Sequence, residues 1–478
     1  MKESPAAAGL FHREAHVSLI DYLDQYAKTR VPMHMPGHKR NASLAAYLAR
    51  LGAGLDVTEA EGLDNLHDAA GILRDGMEKT AALWGSGRAF WLVNGSSCGV
   101  LAGVWATVPD GGAVICARNC HRSVLNALIL RHARTSYVMP EMDAAGIAGP
   151  LSPEAVAHAL GENPDARLLI VTSPTYEGVL SDIPEICRIA HARGVAVLVD
   201  EAHGAHLGFG HGFPDGAVKA GADMVVQSLH KTLPSLTQTA VLHISGDRID
   251  GEAVRAALSI FETSSPSYLL MASIDGCVDL LRARGDALFS PWRDGLCALR
   301  KRLAALKHLT LGSGAWPRDP SKIVVRTDQS DIGGARLMEM LRMRGIEPEM
   351  AAPNHVVLMT GMGDTGATLA ALAEALLDID GSIGPGHRAP LPPLPLPARA
   401  LSPWEAAGRA AETVKTADAA GRVCAEAVWA YPPGIPLIVP GEVLSADILR
   451  ACAAVCGRDE IRVLSEVTLT NGASGDSL

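Results

Sequence analysis

With 478 residues, 48% of them hydrophobic and 20% charged, the chain exceeds what one compact core accommodates, and two or three domains are expected; disorder is excluded except at the ends. A formal charge of −10 at pH 7 with no Lys/Arg run argues against a nucleic-acid binder and is compatible with a cationic substrate. The nine cysteines are scattered with no CxxC pair, so neither a disulfide framework nor a zinc site is indicated. The opening Met-Lys-Glu-Ser-Pro-Ala-Ala-Ala-Gly lacks an apolar signal core and no run is long enough to span a bilayer, which predicts a cytoplasmic protein.

Along the chain, residues 10–30 place Leu19, Ile20, Tyr22, Leu23 and Tyr26 on one helical stripe. His34-Met35-Pro36-Gly37-His38-Lys39 follows, a turn that is either a connector or the polar edge of a pocket. An acidic stretch over 56–66 leads into a helix from about 72 to 83. From Arg88 onward, short runs that are apolar throughout (89–93, 113–116, 168–171, 195–199, 224–226 and 240–244) alternate with helical patterns at 99–107, 123–132 and 183–193. Runs of that kind are strands buried on both faces, and the alternation is the rhythm of a mostly parallel sheet covered by helices. A helical pattern continues to Leu281. Residues 300–380 form a smaller α/β unit, with strands near 323–326 and 356–359. Pro392 to Pro397 reads as a stiff linker, a last helix falls near 446–456, where Cys452 and Cys456 share a face as buried thiols, and the tail after Thr470 is frayed. The fold class is therefore α/β, divided into an N-terminal helical arm (1–50), a large domain (51–290), a small α/β domain (291–388) and a C-terminal domain (389–478).

Ligands of such sheets bind beyond the carboxyl ends of the strands, and there the chain concentrates its polar residues. Asn94-Gly95-Ser96-Ser97 opens a helix with backbone N–H groups and two hydroxyls, a cradle for a phosphate and equally a good N-cap. His121 follows the second run. Thr172 to Gly178 follows the third. Asp200 ends the fourth, where a buried carboxylate needs a cationic or hydrogen-bonding partner such as a pyridinium nitrogen. Ser228-Leu229-His230-Lys231 closes the fifth, and its lysine is placed to form a Schiff base with a carbonyl cofactor, although a lysine in an exposed loop would read the same way. Together these residues set out the parts of one pyridoxal 5′-phosphate (PLP) site at successive strand ends.

These segments carry a resemblance. His34-Met-Pro-Gly-His-Lys39, Asn94-Gly-Ser-Ser97, Arg118-Asn-Cys-His121, Ser173-Pro-Thr-Tyr176, Asp200-Glu-Ala-His203, Ser228-Leu-His-Lys231, Thr263-Ser-Ser-Pro-Ser-Tyr268, Tyr431-Pro-Pro-Gly-Ile-Pro436 and Pro440-Gly-Glu442 together resemble, in order and over nearly the whole chain, the short Orn/Lys/Arg decarboxylases of the fold-type I PLP superfamily. The resemblance implies the PLP-dependent transferase fold, with Lys231 as the cofactor lysine and Asp200 paired with the ring nitrogen. It implies that His121 stacks on the ring and His203 touches the ring edge. Ser96, Ser97, Ser228 and His230 would hold the phosphate, and Ser264 or Ser265 would reach the phosphate of a neighbouring subunit. A homodimer or larger assembly with shared sites follows. Gly-Ser-Ser stands where the family often has Gly-Ser-Thr, which keeps the hydroxyl, and the receiver-like domain of the long forms is lacking, so decamer assembly and acid-stress behaviour are not carried over.

The implied reaction is decarboxylation of arginine, lysine or ornithine to agmatine or a diamine, as in polyamine biosynthesis. The distal cation of such a substrate needs an acid; Glu442, Glu262, Asp64 and Glu177 are candidates, Glu442 first. A PLP aminotransferase, a decarboxylase of a non-standard amino acid and a non-catalytic homologue are the other readings of this fold, the last disfavoured by the presence of both Lys231 and Asp200.

Overall fold

The computed structural model describes residues 18–41, 46–312, 316–391, 396–430 and 435–465. Tyr431 to Gly434, Pro392 to Pro395 and the tail after Ser465 lie outside the described residues, as does the first part of the 10–30 helical pattern.

Among the described residues, the α-helices α1 (Leu19–Thr29), α2 (Ala46–Ala49) and α3 (Ile72–Trp84) precede the sheet. The apolar runs then build one seven-stranded sheet: β1 (Arg88–Leu92), β2 (Ala113–Ala117), β3 (Arg134–Val138), β4 (Ala166–Thr172), β5 (Ala196–Asp200), β6 (Met224–Ser228) and β7 (Ala240–Ile244), in the order β1-β7-β6-β5-β4-β2-β3. Pairing is parallel from β3 through β6, while β7 runs antiparallel to both β6 and β1. Every residue of β2, β5, β6 and β7 is buried, as expected of strands covered on both faces. Helices α4 (Gly95–Thr107), α5 (Arg122–Leu130), α6 (Pro153–Glu162), α7 (Ile183–His191), α8 (Leu229–Thr232) and α9 (Gly251–Phe261) lie between and after the strands. Leu168, Ile170 and Leu198 pack against α4, α5 and α9; their neighbours Leu169, Val171, Val197 and Val199 pack against α6 and α7 on the opposite face. The period of two thus divides one sheet between two cores.

β3 adds a strand that the apolar runs do not announce. It is an edge strand, Arg134-Thr-Ser-Tyr-Val138, with an exposed arginine and two half-buried positions, so it carries no continuous hydrophobic signal. The helix after Ser267 is longer than its sequence pattern. It runs from Tyr268 to Leu303 as α10, 36 residues with Pro291 inside, and the 290–291 division therefore falls within it. A proline costs a helix interior about 3 kcal/mol; here burial of Phe289, Trp292 and Leu296 around it outweighs that cost.

Beyond α10, β8 (Thr310–Leu311), β9 (Lys322–Arg326), β10 (Met350–Ala352) and β11 (His355–Met359) form a second, antiparallel sheet in the order β10-β11-β9-β8. It is accompanied by α11 (Gly334–Arg342) and α12 (Gly366–Ser382). The C-terminal part holds α13 (Pro403–Ala407), the pair β12 (Ala411–Lys415) and β15 (Glu460–Leu464), the antiparallel pair β13 (Val428–Ala430) and β14 (Ile435–Ile438), and α14 (Ala446–Cys456). Among the described residues no helix is long and apolar enough to cross a membrane, and no group of three His, Cys, Asp or Glu side chains is gathered to hold a metal ion.

Candidate active site

The strand ends converge on one cleft of about 600 Å³, counted out to open solvent, lined among others by Ser96, His121, Tyr176, Asp200, His203 and Lys231. On one side, Gly95 turns the chain directly from β1 into α4 with φ +75, a conformation L side chains rarely adopt. Asn94 makes no side-chain capping bond; the Gly95 N–H donates to the Gln238 carbonyl at 2.9 Å, and the N–H groups of Ser96 and Ser97 follow in the first turn of α4. Gly99 lets α4 lie close on the sheet, since a Cβ there would meet Leu92 Cδ1 at 2.6 Å. Ser228 at the end of β6 donates to Ser96 Oγ at 3.0 Å, which joins two of the expected phosphate hydroxyls; Ser97 follows in the same turn. His230 Nδ1 donates to the Thr239 carbonyl at 2.9 Å, and burial pushes its pKa down.

Lys231 sits in α8, clamped between buried Leu229 and Thr232. Its Nζ lies 3.0 Å from His203 Nε2. Burial lowers the pKa of this amine, the Lys322 charge acts in the same sense, and the Asp200 carboxylate opposes both. His203 is held well below the usual imidazole range by burial and by the neighbouring Lys231 and Lys322 amines, so it accepts from Lys231 as a neutral ring. Its Nδ1 is buried without a partner, and the Tyr176 ring packs on it edge-on at 4.8 Å. Asp200 is buried at the end of β5, with Oδ1 accepting from the Ala202 N–H at 3.2 Å. His121 accepts from the Ser123 N–H through Nδ1 at 3.3 Å, which caps α5 and leaves the proton on Nε2; burial lowers its pKa, with Asp200 opposing. The segment after Lys231 is fixed from α10, where Ser273 Oγ accepts from the Leu236 N–H at 2.7 Å and meets Ser235 Oγ at 3.0 Å.

Other nominated residues stand elsewhere. Ser264 and Ser265 are exposed on the segment between α9 and α10 and do not line this cleft in their own chain. All four nominated acids have their carboxylates engaged. Asp64 accepts from the N–H groups of Asn65, Ala70, Gly71 and Leu73. Glu177 is buried and accepts from Thr175 Oγ1 at 3.2 Å. Glu262 accepts from the Val93 N–H at 2.8 Å. Glu442 pairs with Arg118 at 2.9 Å and accepts from the Val439 N–H at 2.8 Å.

The Arg118–Glu442 pair joins the C-terminal part to the segment that carries His121, with both side chains buried. Removing one partner of such a pair leaves an uncompensated charge and costs about 3–5 kcal/mol. Arg118→Ala is therefore expected to lower the unfolding free energy measured by urea titration by an amount of that order. Burial already raises the Glu442 pKa despite Arg118. Without the guanidinium the carboxyl protonates more readily in the folded state, so the deficit should shrink as pH falls. A deficit that does not change with pH would contradict this account.

Several lining residues received no role from sequence. Asn119, Thr172 and Thr175 face the cleft, and all three stand in segments named from the sequence. Tyr176 in addition reaches Glu349 through its hydroxyl. Beyond the lining, Lys322 opens β9 and Glu349 immediately precedes β10; the local signal for Lys322 is a lysine opening the apolar run of β9.

A seven-stranded sheet of this order, with a lysine, a buried aspartate and a helix N-terminus without a side-chain cap at its strand termini, is the arrangement of fold-type I PLP enzymes. The structure aligns with E. coli constitutive lysine decarboxylase at a TM-score of 0.80, 20% identity, covering 93% of this chain and 81% of that one. It also aligns with a Sphingomonas wittichii serine palmitoyltransferase at 0.56, 16% identity, covering 72% and 85%. Within that fold the chain belongs to the Orn/Lys/Arg decarboxylase family, a family of amino-acid decarboxylases: the family's major domain matches residues 17–311 and its C-terminal domain residues 394–454. Among relatives in sequence, an arginine decarboxylase of Bacillus anthracis is 32% identical over 436 residues, 88% of each chain. One of Bacillus subtilis is 32% identical over 434 residues, 87% of this chain and 89% of the relative.

The donor set fits PLP. The hydroxyls of Ser96 and Ser228 with the N–H groups of α4 suit a phosphate dianion, the Asp200 carboxylate suits a protonated pyridine nitrogen, and the Lys231 amine suits the aldehyde. The orphaned polar atoms of the site, His203 Nδ1 and Thr172 Oγ1, are what a site shaped for a further group leaves behind.

Proposed function

We propose that this chain decarboxylates a basic L-amino acid with PLP bound through Lys231. The observation that carries the reading is the Lys231 amine, 3.0 Å from a neutral His203 in a cleft shared with the buried Asp200. When bound, the cofactor supplies an electron-accepting ring for the pair released as CO2 leaves.

The chain's residues do the rest. A lowered amine pKa gives Lys231 a larger neutral fraction near pH 7, so it binds the aldehyde as a nucleophile. Asp200 would hold the proton on the pyridine nitrogen. Ser96, Ser97, Ser228 and the α4 N–H groups would hold the phosphate, and His121 would cover the ring. With the substrate amine in its place, Lys231 Nζ, in contact with His203 Nε2, would carry the proton taken from the substrate ammonium and would return it to Cα after carboxylate loss. The names of the Bacillus relatives favour arginine among the basic amino acids. Exposure of Ser264 and Ser265 supports a homo-oligomer in which one copy's segment completes the partner's phosphate site.

The test is amine and CO2 formation from arginine, lysine, ornithine and a panel of other amino acids, with PLP-loaded protein. Stoichiometric CO2 with agmatine or a diamine is expected. Ketoacid formation without CO2 would replace decarboxylation by transamination.

A further inference from the structure

One fully buried lysine near the cleft has no place in that scheme. Lys322, the first residue of β9, has no side-chain exposure, and its ion-pair partner Asp319, 3.6 Å away, has none either. Asp319 is itself held by His206 Nε2 at 3.1 Å, the Ser321 N–H at 2.8 Å and Ser321 Oγ at 2.6 Å. His206 follows His203 by three residues, on the same segment after β5. The Lys322 ammonium donates to the His203 carbonyl at 3.3 Å.

A buried ion pair is weak support for stability, because well-packed apolar side chains of equal volume usually serve as well or better. Its placement is then the informative feature. Lys322 and Asp319 grip the His203–His206 segment at both ends, and His203 is the residue whose imidazole touches Lys231. Asp200, His121 and His203 line the same cleft as the Lys231 amine, and the charges of Lys322 and Glu349 act on it, as its own acts on His230. Of these, Lys322 brings a positive charge from the second sheet.

We propose that Lys322 is a positioning residue of the active site. It fixes His203 against Lys231 and places a buried positive charge behind the amine that takes the cofactor, so that the second sheet tunes a group on the first. This rests on the PLP reading above. The pKa directions agree with it, since the Lys322 charge depresses both Lys231 and His203.

The experiment titrates the visible absorbance of the Lys231–cofactor linkage with pH in PLP-loaded wild type, Lys322→Met, Lys322→Gln and Lys322→Arg, with turnover measured alongside. Removing a positive charge should raise the midpoint, by about one pH unit for a neighbouring charge, in both neutral variants. Their kcat should fall about tenfold or more, with KM much less affected. Lys322→Arg, which keeps the charge, should hold the wild-type midpoint. A folded Met or Gln variant with the wild-type midpoint and rate would overturn the proposal, and so would an arginine variant shifted as far as methionine. If neither neutral variant folds, Lys322 serves stability alone and the proposal fails. Absence of the absorbance band from wild type would instead remove the PLP reading itself.

Discussion

Lys231→Ala should lose decarboxylation by a factor of at least about 10²–10⁴, the range for one positioned proton-transfer group, and by more if loss of the covalent anchor adds to it. On the proposed scheme, the mutation removes both the amine that would bind the aldehyde and the proton donor to Cα. The fold should survive it. Leu229, Thr232 and Leu233 are buried around the site of the change, and the following segment stays tied to Ser273, so the thermal midpoint should move little. CO2 release, the absorbance band and the melting curve, measured on one preparation, check this. Full activity in a folded Lys231→Ala protein would remove Lys231 from the mechanism and the decarboxylation scheme with it.

Asp200→Asn is the second large effect expected. Asparagine keeps the shape and can still accept from the Ala202 N–H, but it removes the negative charge that β5 places at its end. The pyridine nitrogen would then lose the anion that holds its proton, and the ring would accept electrons poorly. A fall of about 10²–10³ in kcat, as for loss of one preorganised electrostatic group, is expected with the cofactor still incorporated. The same substitution removes the charge that opposes the lowering of Lys231 and His121, so the midpoint of the absorbance titration should fall. This is the opposite sign from Lys322→Met. Retention of normal turnover would show that the ring nitrogen does not need Asp200.

The sheet was legible because β2, β5, β6 and β7 are buried on both faces and therefore largely apolar, a signal contained within five residues. β3 was not, since an edge strand can be Arg-Thr-Ser-Tyr-Val and still pair through its backbone. The length of α10 was hidden by Pro291, whose local preference is overridden by side chains packing from outside the helix. The cleft residues His121, Asp200, His203 and Lys231 were readable as groups at strand ends. The acids were not sorted, because whether a glutamate faces substrate or an arginine depends on contacts such as Arg118–Glu442, 324 positions apart. Lys322 and Glu349 were missed for the same reason: their distance from Lys231 is set by how two sheets pack.

The unbroken course of α10 has a mechanical reading. Ser273, near its start, holds the chain a few residues past Lys231, while Leu296, near its end, lies in the core with Leu369 and Leu372 of α12. Some 35 Å of helix separate the two at 1.5 Å per residue. A tilt of about 2° set at the far end moves the near end by about 1 Å by that geometry, and a misplacement of about 1 Å is enough to cost roughly a hundredfold in rate. A repacked leucine at position 296 would then register in the rate of the reaction, transmitted along a rod.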